Sequence, residues 1–199
     1  MRISGKTKVC ALIGDPVEHS LSPCFQNAAF MHLGLDFVYV AFTVKAGELR
    51  SAVMGLRSLG LHGFNVTMPH KISIIRHLDE LRGDAEKIGS VNTVLNSDGR
   101  LIGYTTDGIG ALNALRYEGV DPAGRKIVIL GAGGASRSVS FALVREAGEL
   151  VILNRTVERA EKLASDLKRL SMGHASVRYG RLTEDYLSRE LEDADILIN

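Results

Sequence analysis

The sequence is short of the features that mark secreted, membrane-spanning or nucleic-acid-binding chains. It has two cysteines, Cys10 and Cys24, in 199 residues. That is too few for a disulfide framework, and their spacing is not that of a metal site, so both are read as reduced thiols in or near the core. Neither sign of charge dominates: 24 Lys and Arg stand against 23 Asp and Glu. The balance holds along the chain, with 11 basic and 9 acidic residues before position 107 and 13 and 14 from it onward. Neither half has the basic excess of a nucleic-acid-binding surface. Long apolar runs are missing too. Arg2, Lys6 and Lys8 precede the apolar run at 9–14, but Asp15 ends that run before it reaches secretory length. No stretch approaches the ~20 apolar residues that a membrane span needs. The expectation is a cytoplasmic protein with a small-molecule partner and no nucleic-acid, membrane or metal partner.

What is present is an ordinary core and many turns. Hydrophobic residues make up 45% and charged residues 24%, the balance of a globular chain rather than a disordered one. Glycine, 21 of 199, exceeds the usual ~7%, so tight turns and close backbone approaches are expected.

Strand-like and helix-like segments alternate, which predicts an α/β fold with parallel pairing. In the first half, strands are expected at 9–14, 37–44, 63–66, 91–95 and 101–105. The last two flank a hairpin turn at Ser97-Asp98-Gly99. Helices are expected at 23–33 with Ser22 as N-cap, at 47–59, from Pro69 to His77 with Thr67 as cap, around 84–88, and at 107–117 capped by Thr106 or Asp107. After the turn-rich stretch 119–124 come a strand at 126–130, a helix at 133–147, a strand at 150–153, a helix at 156–170, and strands at 177–179 and 195–198. The boundary between two domains is expected within 104–122, dividing the chain into 1–106 and 107–199.

The segment from Lys126 to Ser136 is a strand, a glycine-rich turn and a helix start, the arrangement a dinucleotide needs. Gly131 permits the tight turn, Gly133 lets backbone approach a pyrophosphate, and the helix aims amides at the anion. Ala132, Gly134 and Ala135 complete the turn. The same pattern can serve tight packing alone, but the βαβ run after it favours a cofactor. About 20 residues on, where an NAD enzyme commonly carries a carboxylate for the ribose, stand Asn154, Arg155 and Thr156, with Arg159 one helical turn later. No carboxylate at 154–156 would repel a 2′-phosphate, and the two guanidinium groups lie i, i+4. The alternative is a solvated helix face with these arginines paired to Glu158 or Glu161.

Four polar clusters lie at element ends in the first half: SLSP from Ser20, NVTMPHK from Asn65, VNT from Val91 and TTDG from Thr105. Each alone is explained by capping or by a surface lysine. Together with GAGGAS and NRTVERA, in that order, they resemble the signature motifs of the shikimate dehydrogenases, from Ser20 to Arg159.

The resemblance implies a two-lobed α/β enzyme: an N-terminal α/β substrate domain, then a Rossmann-type, doubly wound parallel-sheet domain for NADP. Its reaction is the reversible NADPH-dependent reduction of 3-dehydroshikimate to shikimate, on the route to chorismate and the aromatic amino acids. It implies that Ser20 and Ser22 bind the substrate carboxylate, that Thr67, Asn92 and Asp107 bind ring hydroxyls, and that Lys71 is the acid/base. The nucleotide loop then falls on Gly131–Ala135 and the 2′-phosphate clamp on 154–159. The chemistry agrees, because an ammonium group suits the reduction as proton donor, and an adjacent carboxylate would hold it in place. The alternatives are a quinate/shikimate dehydrogenase using NAD, and a noncatalytic nucleotide-binding fragment. Four strands are counted from residue 126 where the dinucleotide fold commonly has about six. The second domain is therefore expected to be truncated at its C-terminus, without the family's nicotinamide-contacting segment. A monomer or homodimer is expected.

Overall fold

The computed structural model describes residues 3–171 and 173–199. The chain divides into two compact units between Thr105 and Thr106.

The first unit is built on a six-stranded sheet. Strands β1 (Lys8–Gly14), β2 (Phe37–Thr43) and β3 (Gly63–Val66) are parallel; β5 (Thr93–Ser97) and β6 (Arg100–Tyr104) form an antiparallel hairpin. The order is β2-β1-β3-β5-β6-β4, where β4 (Glu80–Leu81) pairs parallel with β6. β1 lies inside the sheet, wedged between parallel neighbours, which explains its unbroken apolar run. One face sets Ala11, Ile13, Phe64, Val66, Val94 and Leu101 against Val53 and Leu56 of α2 (Leu49–Ser58) and against Ile74. The other face sets Leu12 and Tyr39 against Phe30 of α1 (Ser22–His32). The hairpin turns as the sequence predicts: Asp98 (φ 51°) and Gly99 (φ 87°) form its two-residue loop, with Ser97 opposite Arg100.

The expected hairpin makes this sheet mixed, with β5 running against β3 as well as against β6. Two expectations for this unit are corrected. Ser22 is not the N-cap of α1. Leu21 holds that position without a side-chain cap, and it is the Ser20 hydroxyl that accepts from the Ser22 N–H at 3.2 Å. Residues 69–77 do not form an α-helix. The Lys71 carbonyl, which a helix would bond to the amide of residue 75, accepts instead from the Val91 N–H at 2.8 Å, and only Ser73–His77 coil, as a 3-10 turn. A 3-10 turn at Ala46–Glu48 and the short strand β4 were not expected. A short helix α3 spans Ala85–Ile88.

The second unit opens with α4 (Asp107–Tyr117), whose N-cap position is Thr106, with no hydrogen bond from that side chain to the cap. Its sheet is parallel throughout, in the order β10-β7-β8-β9: β10 (Ile196–Ile198), β7 (Lys126–Leu130), β8 (Glu149–Asn154) and β9 (Ser176–Arg181). Between these strands run α5 (Gly134–Leu143), α6 (Val157–Ser171) and α7 (Glu184–Leu191). Val128, Val151 and Leu153 pack against Tyr186 and Leu187 of α7, while the alternate residues Ile127, Ile129, Leu150 and Ile152 are buried on the opposite face. α6 buries Ala160, Leu163, Ala164 and Leu167, a stripe at helical spacing. The order 3-2-1-4, counting from β7, is that of a Rossmann half with its switch point between β7 and β10. α5 ends at Leu143, with Val144 as its C-cap, short of the expected Ala147. α7 was not expected. Its one fully buried residue is Glu190, so its inward face carries a charge where apolar periodicity looks for a hydrophobe.

Candidate active site

Topology gathers the polar clusters of the first unit. β1, β2 and β3 all end at one edge of the sheet, in the register Gly14–Thr43 and Ile13–Val66. β5 runs the other way, so its first residue, Thr93, stands opposite Asn65 at that same edge, and the hairpin brings Tyr104, the end of β6, back beside Thr93. The segments carrying Ser20 and Ser22, Thr67 and Lys71, and Asn92 therefore leave or enter the sheet along one edge. Each of these five residues is half-buried. Asp107 begins α4 and belongs to the second unit.

The segment bearing Lys71 is held from several sides. The Thr67 N–H donates to the Ile13 carbonyl at 2.9 Å, and the Asp15 N–H donates to the Met68 carbonyl at 2.9 Å. Gly14 makes this approach possible. A Cβ there would lie 2.2 Å from Thr67 Cγ2 and 2.8 Å from the Met68 carbonyl oxygen. His70 is buried, and its Nε2 donates to the Val44 carbonyl at 2.6 Å, tying the segment to the end of β2. The Val91 N–H bonds to Lys71 O, and the Val66 N–H donates to Asn92 O at 2.9 Å. The lysine segment and the asparagine segment are thus hydrogen-bonded neighbours.

A network missed at the level of sequence backs Asn92. Tyr39 Oη donates to Asn65 Oδ1 at 2.7 Å, and Asn65 Nδ2 donates to Asn92 O and to Thr93 Oγ1, each at 3.1 Å. Thr93 Oγ1 donates to Asn92 Oδ1 at 3.2 Å. Asn27 of α1 exchanges two bonds with the Tyr39 backbone, at 2.8 and 2.9 Å. An asparagine inside a buried strand and another inside a helix were the signals available, since both are poor choices there unless the amide is used.

In the second unit the glycine-rich turn joins β7 to α5. Gly131 has φ 105°, a conformation that side chains disfavour, and its N–H donates to the Leu153 carbonyl at 2.7 Å. Gly133 is the N-cap of α5 with no side-chain cap, and a Cβ on it would meet nothing within 4 Å. Ala132, Gly134 and Ala135 fill the rest of the turn and the first helical turn. At the end of β8, Asn154 Nδ2 donates to the Thr156 carbonyl at 2.8 Å, shaping the turn into α6. Arg155 and Arg159 are exposed. Neither pairs with Glu158 or Glu161, and the Glu161 carboxylate accepts from Tyr179 Oη at 2.8 Å instead. An uncapped helix start beside a positive-φ glycine, with open space over Gly133 and two arginines that have no carboxylate partner among the described residues, fits a phosphorylated dinucleotide.

Comparison with known proteins agrees with both halves. The family model described as "Shikimate dehydrogenase substrate binding domain" matches residues 12–94, and that described as "Shikimate / quinate 5-dehydrogenase" matches 115–199. The chain is 53% identical to the shikimate dehydrogenase (NADP(+)) of Methanopyrus kandleri, over 99% of its own length and 68% of that relative. It superimposes on a crystal structure of a shikimate dehydrogenase in complex with NADP+ with a TM-score of 0.87 and 46% identity, covering 100% of this chain and 68% of that one. The shikimate 5-dehydrogenase of Listeria monocytogenes in complex with shikimate and NAD gives a TM-score of 0.85 at 39% identity, covering 99% and 69%.

Proposed function

Since the chain belongs to the shikimate dehydrogenase family, we propose that Lys71 is the acid/base of its reaction. The reaction itself follows from the relatives: NADP-dependent, reversible reduction of 3-dehydroshikimate to shikimate, a step toward the aromatic amino acids. In this reading, residues 1–106 bind the substrate and 107–199 bind NADP.

The Lys71 ammonium gives its proton to the oxygen that becomes the hydroxyl, and in the reverse direction the neutral amine takes that proton back. Asn92, Thr67 and Asp107 hold the ring hydroxyls, which fixes the face of the ring presented. Ser20 and Ser22 donate their hydroxyls to the carboxylate. Ser20 Oγ already accepts from the Ser22 N–H, so its own hydrogen remains for an acceptor. Gly131, Ala132, Gly133, Gly134 and Ala135 would cradle the pyrophosphate. Arg155 and Arg159, with Asn154 and Thr156 shaping their turn, would hold the 2′-phosphate. The bound dinucleotide supplies the hydride.

The observation that carries the assignment of Lys71 is the bond from Val91 to its carbonyl, which sets the lysine segment one residue from Asn92 at the edge where the serine and threonine segments also end. The test is absorbance at the reduced-nicotinamide band. Shikimate with NADP should give reduction, and NAD or quinate in place of either should give less. Failure of shikimate and NADP together would overturn the reading. The same proposal sets the protein in the cytoplasm, as a monomer or homodimer. Among the described residues no helix is long and apolar enough to cross a membrane.

A further inference from the structure

We propose that a cleft on the α2 side of the first unit, lined by Arg50, Arg76 and His77, binds the phosphate group of a small phosphate monoester. The cleft shares no residue with the polar clusters of the candidate active site.

Its volume is about 580 Å³, between the first turn of α2, which carries Arg50, and the end of the 3-10 turn at Ser73–His77, which carries Arg76 and His77. The charge there is one-sided. Elsewhere in the described part of this unit, Arg57, Arg82 and Arg100 pair with Asp79 or Glu80. Arg50 and Arg76 have no carboxylate partner among the described residues, and both line this one cleft.

Counting donors points to the ligand. Arg76 Nε donates to His77 Nε2 at 3.3 Å, which leaves the terminal nitrogens of Arg76 for a ligand and places the imidazole proton on Nδ1. Arg50 brings a whole guanidinium fork. The three side chains therefore offer donors and no acceptor. A phosphate monoester answers them with three accepting oxygens and nearly two negative charges, where a carboxylate has two oxygens and one charge.

A second cavity of about 240 Å³ adjoins the first and shares all three residues. Val53, Met54 and Leu78 give it apolar side chains, against which the body of the ester would lie. The Asp79 carboxylate there is already engaged, its Oδ2 accepting from Arg57 Nη2 and from the Leu101 N–H, each at 2.7 Å. Arg50, Arg76 and the Arg57–Asp79 pair are the charged groups lining the two cavities around His77. Burial, with the Arg76 and Arg50 charges nearby, holds its imidazole below the ordinary histidine value. A bound dianion offsets those charges, so binding should draw a proton onto Nε2 and release Arg76 Nε to the anion.

The test is a residue-resolved NMR titration of the whole 199-residue chain with phenyl phosphate, inorganic phosphate and benzoate, each against chloride at the same ionic strength. Phenyl phosphate should give saturable amide shifts at 46–57 and 73–79, told apart by residue from any phosphate seated on the glycine turn of the second unit. It should bind about threefold more tightly than inorganic phosphate, through its buried ring. Arg50→Ala and Arg76→Ala, both at exposed positions, should each weaken binding about tenfold. The His77 ring protons should titrate about one pH unit higher with phenyl phosphate bound. Arginines that are merely solvated would give none of these results. Absence of saturable shifts at these residues, shifts that chloride reproduces, parent-like binding by either variant, an unmoved His77 titration, or benzoate binding as tightly as phenyl phosphate would overturn the proposal.

Discussion

In the second unit the candidate site is made of backbone: a positive-φ glycine, a helix start without a side-chain cap, and open space where a Gly133 side chain would stand. In the first it is made of side chains, and the segments that carry Thr67, Lys71 and Asn92 are steadied by bonds that come from elsewhere in the fold. The second unit keeps its ion pairs for the scaffold. Lys126 and Glu149 start neighbouring strands, and with Arg178 and the buried Glu190 they form a network at the end of the sheet opposite the glycine turn. The lesson is that an anion can be held by geometry the backbone already has, whereas a polyhydroxylated ring needs donors and acceptors whose orientation must be enforced.

The sharpest way to break this contrast is Lys71→Ala. Turnover should fall at least ~100-fold, the scale of a lost general acid/base, with little change in shikimate affinity. Comparable turnover in steady-state assays would remove Lys71 from its post.

Next comes the scaffold network. Glu190→Gln should cost about 2 kcal/mol in denaturant unfolding at pH 7, because it takes the charge from the buried carboxylate that Arg178 and Lys126 share, while Arg178 keeps Glu149. The hydrogen bonds from the Arg178 guanidinium, with Lys126 beside it, hold the Glu190 carboxyl below the ordinary range. Its stabilisation is therefore full above the ordinary glutamate value near ~4.3 and is lost as pH falls through the lower folded value. The gap between parent and variant should close in acid, and a gap independent of pH would show that the pair's charge is not what stabilises.

A smaller effect tests the backbone site. Asp is a favoured helix N-cap, so Gly133→Asp should keep or raise the thermal midpoint while NADP affinity drops at least ~10-fold, since the new carboxylate takes the amides and repels phosphate. A stable variant that binds NADP normally would show that the turn serves packing alone. The mildest change is Arg159→Ala. It should shift the preference for NADP over NAD by about tenfold, through lost charge-assisted bonds, with stability unmoved.

The two units also differ in how much their sequence shows. β7, β8, α6 and the glycine turn follow from periodicity and spacing, because a parallel sheet buried on both faces leaves apolar runs and each crossover needs a helix. α7 escaped because it turns Glu190 inward, and β4 because two residues carry no pattern. In the first unit the motif residues could be named from sequence, but the supports could not. Tyr39 reads as an ordinary strand aromatic, and its bond to Asn65 spans 26 positions. The expected helix at 69–77 failed because a bond from Val91 outcompetes the local one, and no local propensity encodes that choice.

Order along the chain was therefore enough to settle the α/β class, the dinucleotide turn and the identity of the polar residues at element ends, because all of these depend on neighbours within a few positions. Only the folded sheet decided that β5 runs backward, so that Asn92 enters where Thr67 and Lys71 leave, and which way each buried amide points. Those outcomes depend on hydrogen bonds between residues far apart in sequence, which form only when the strands have found their partners.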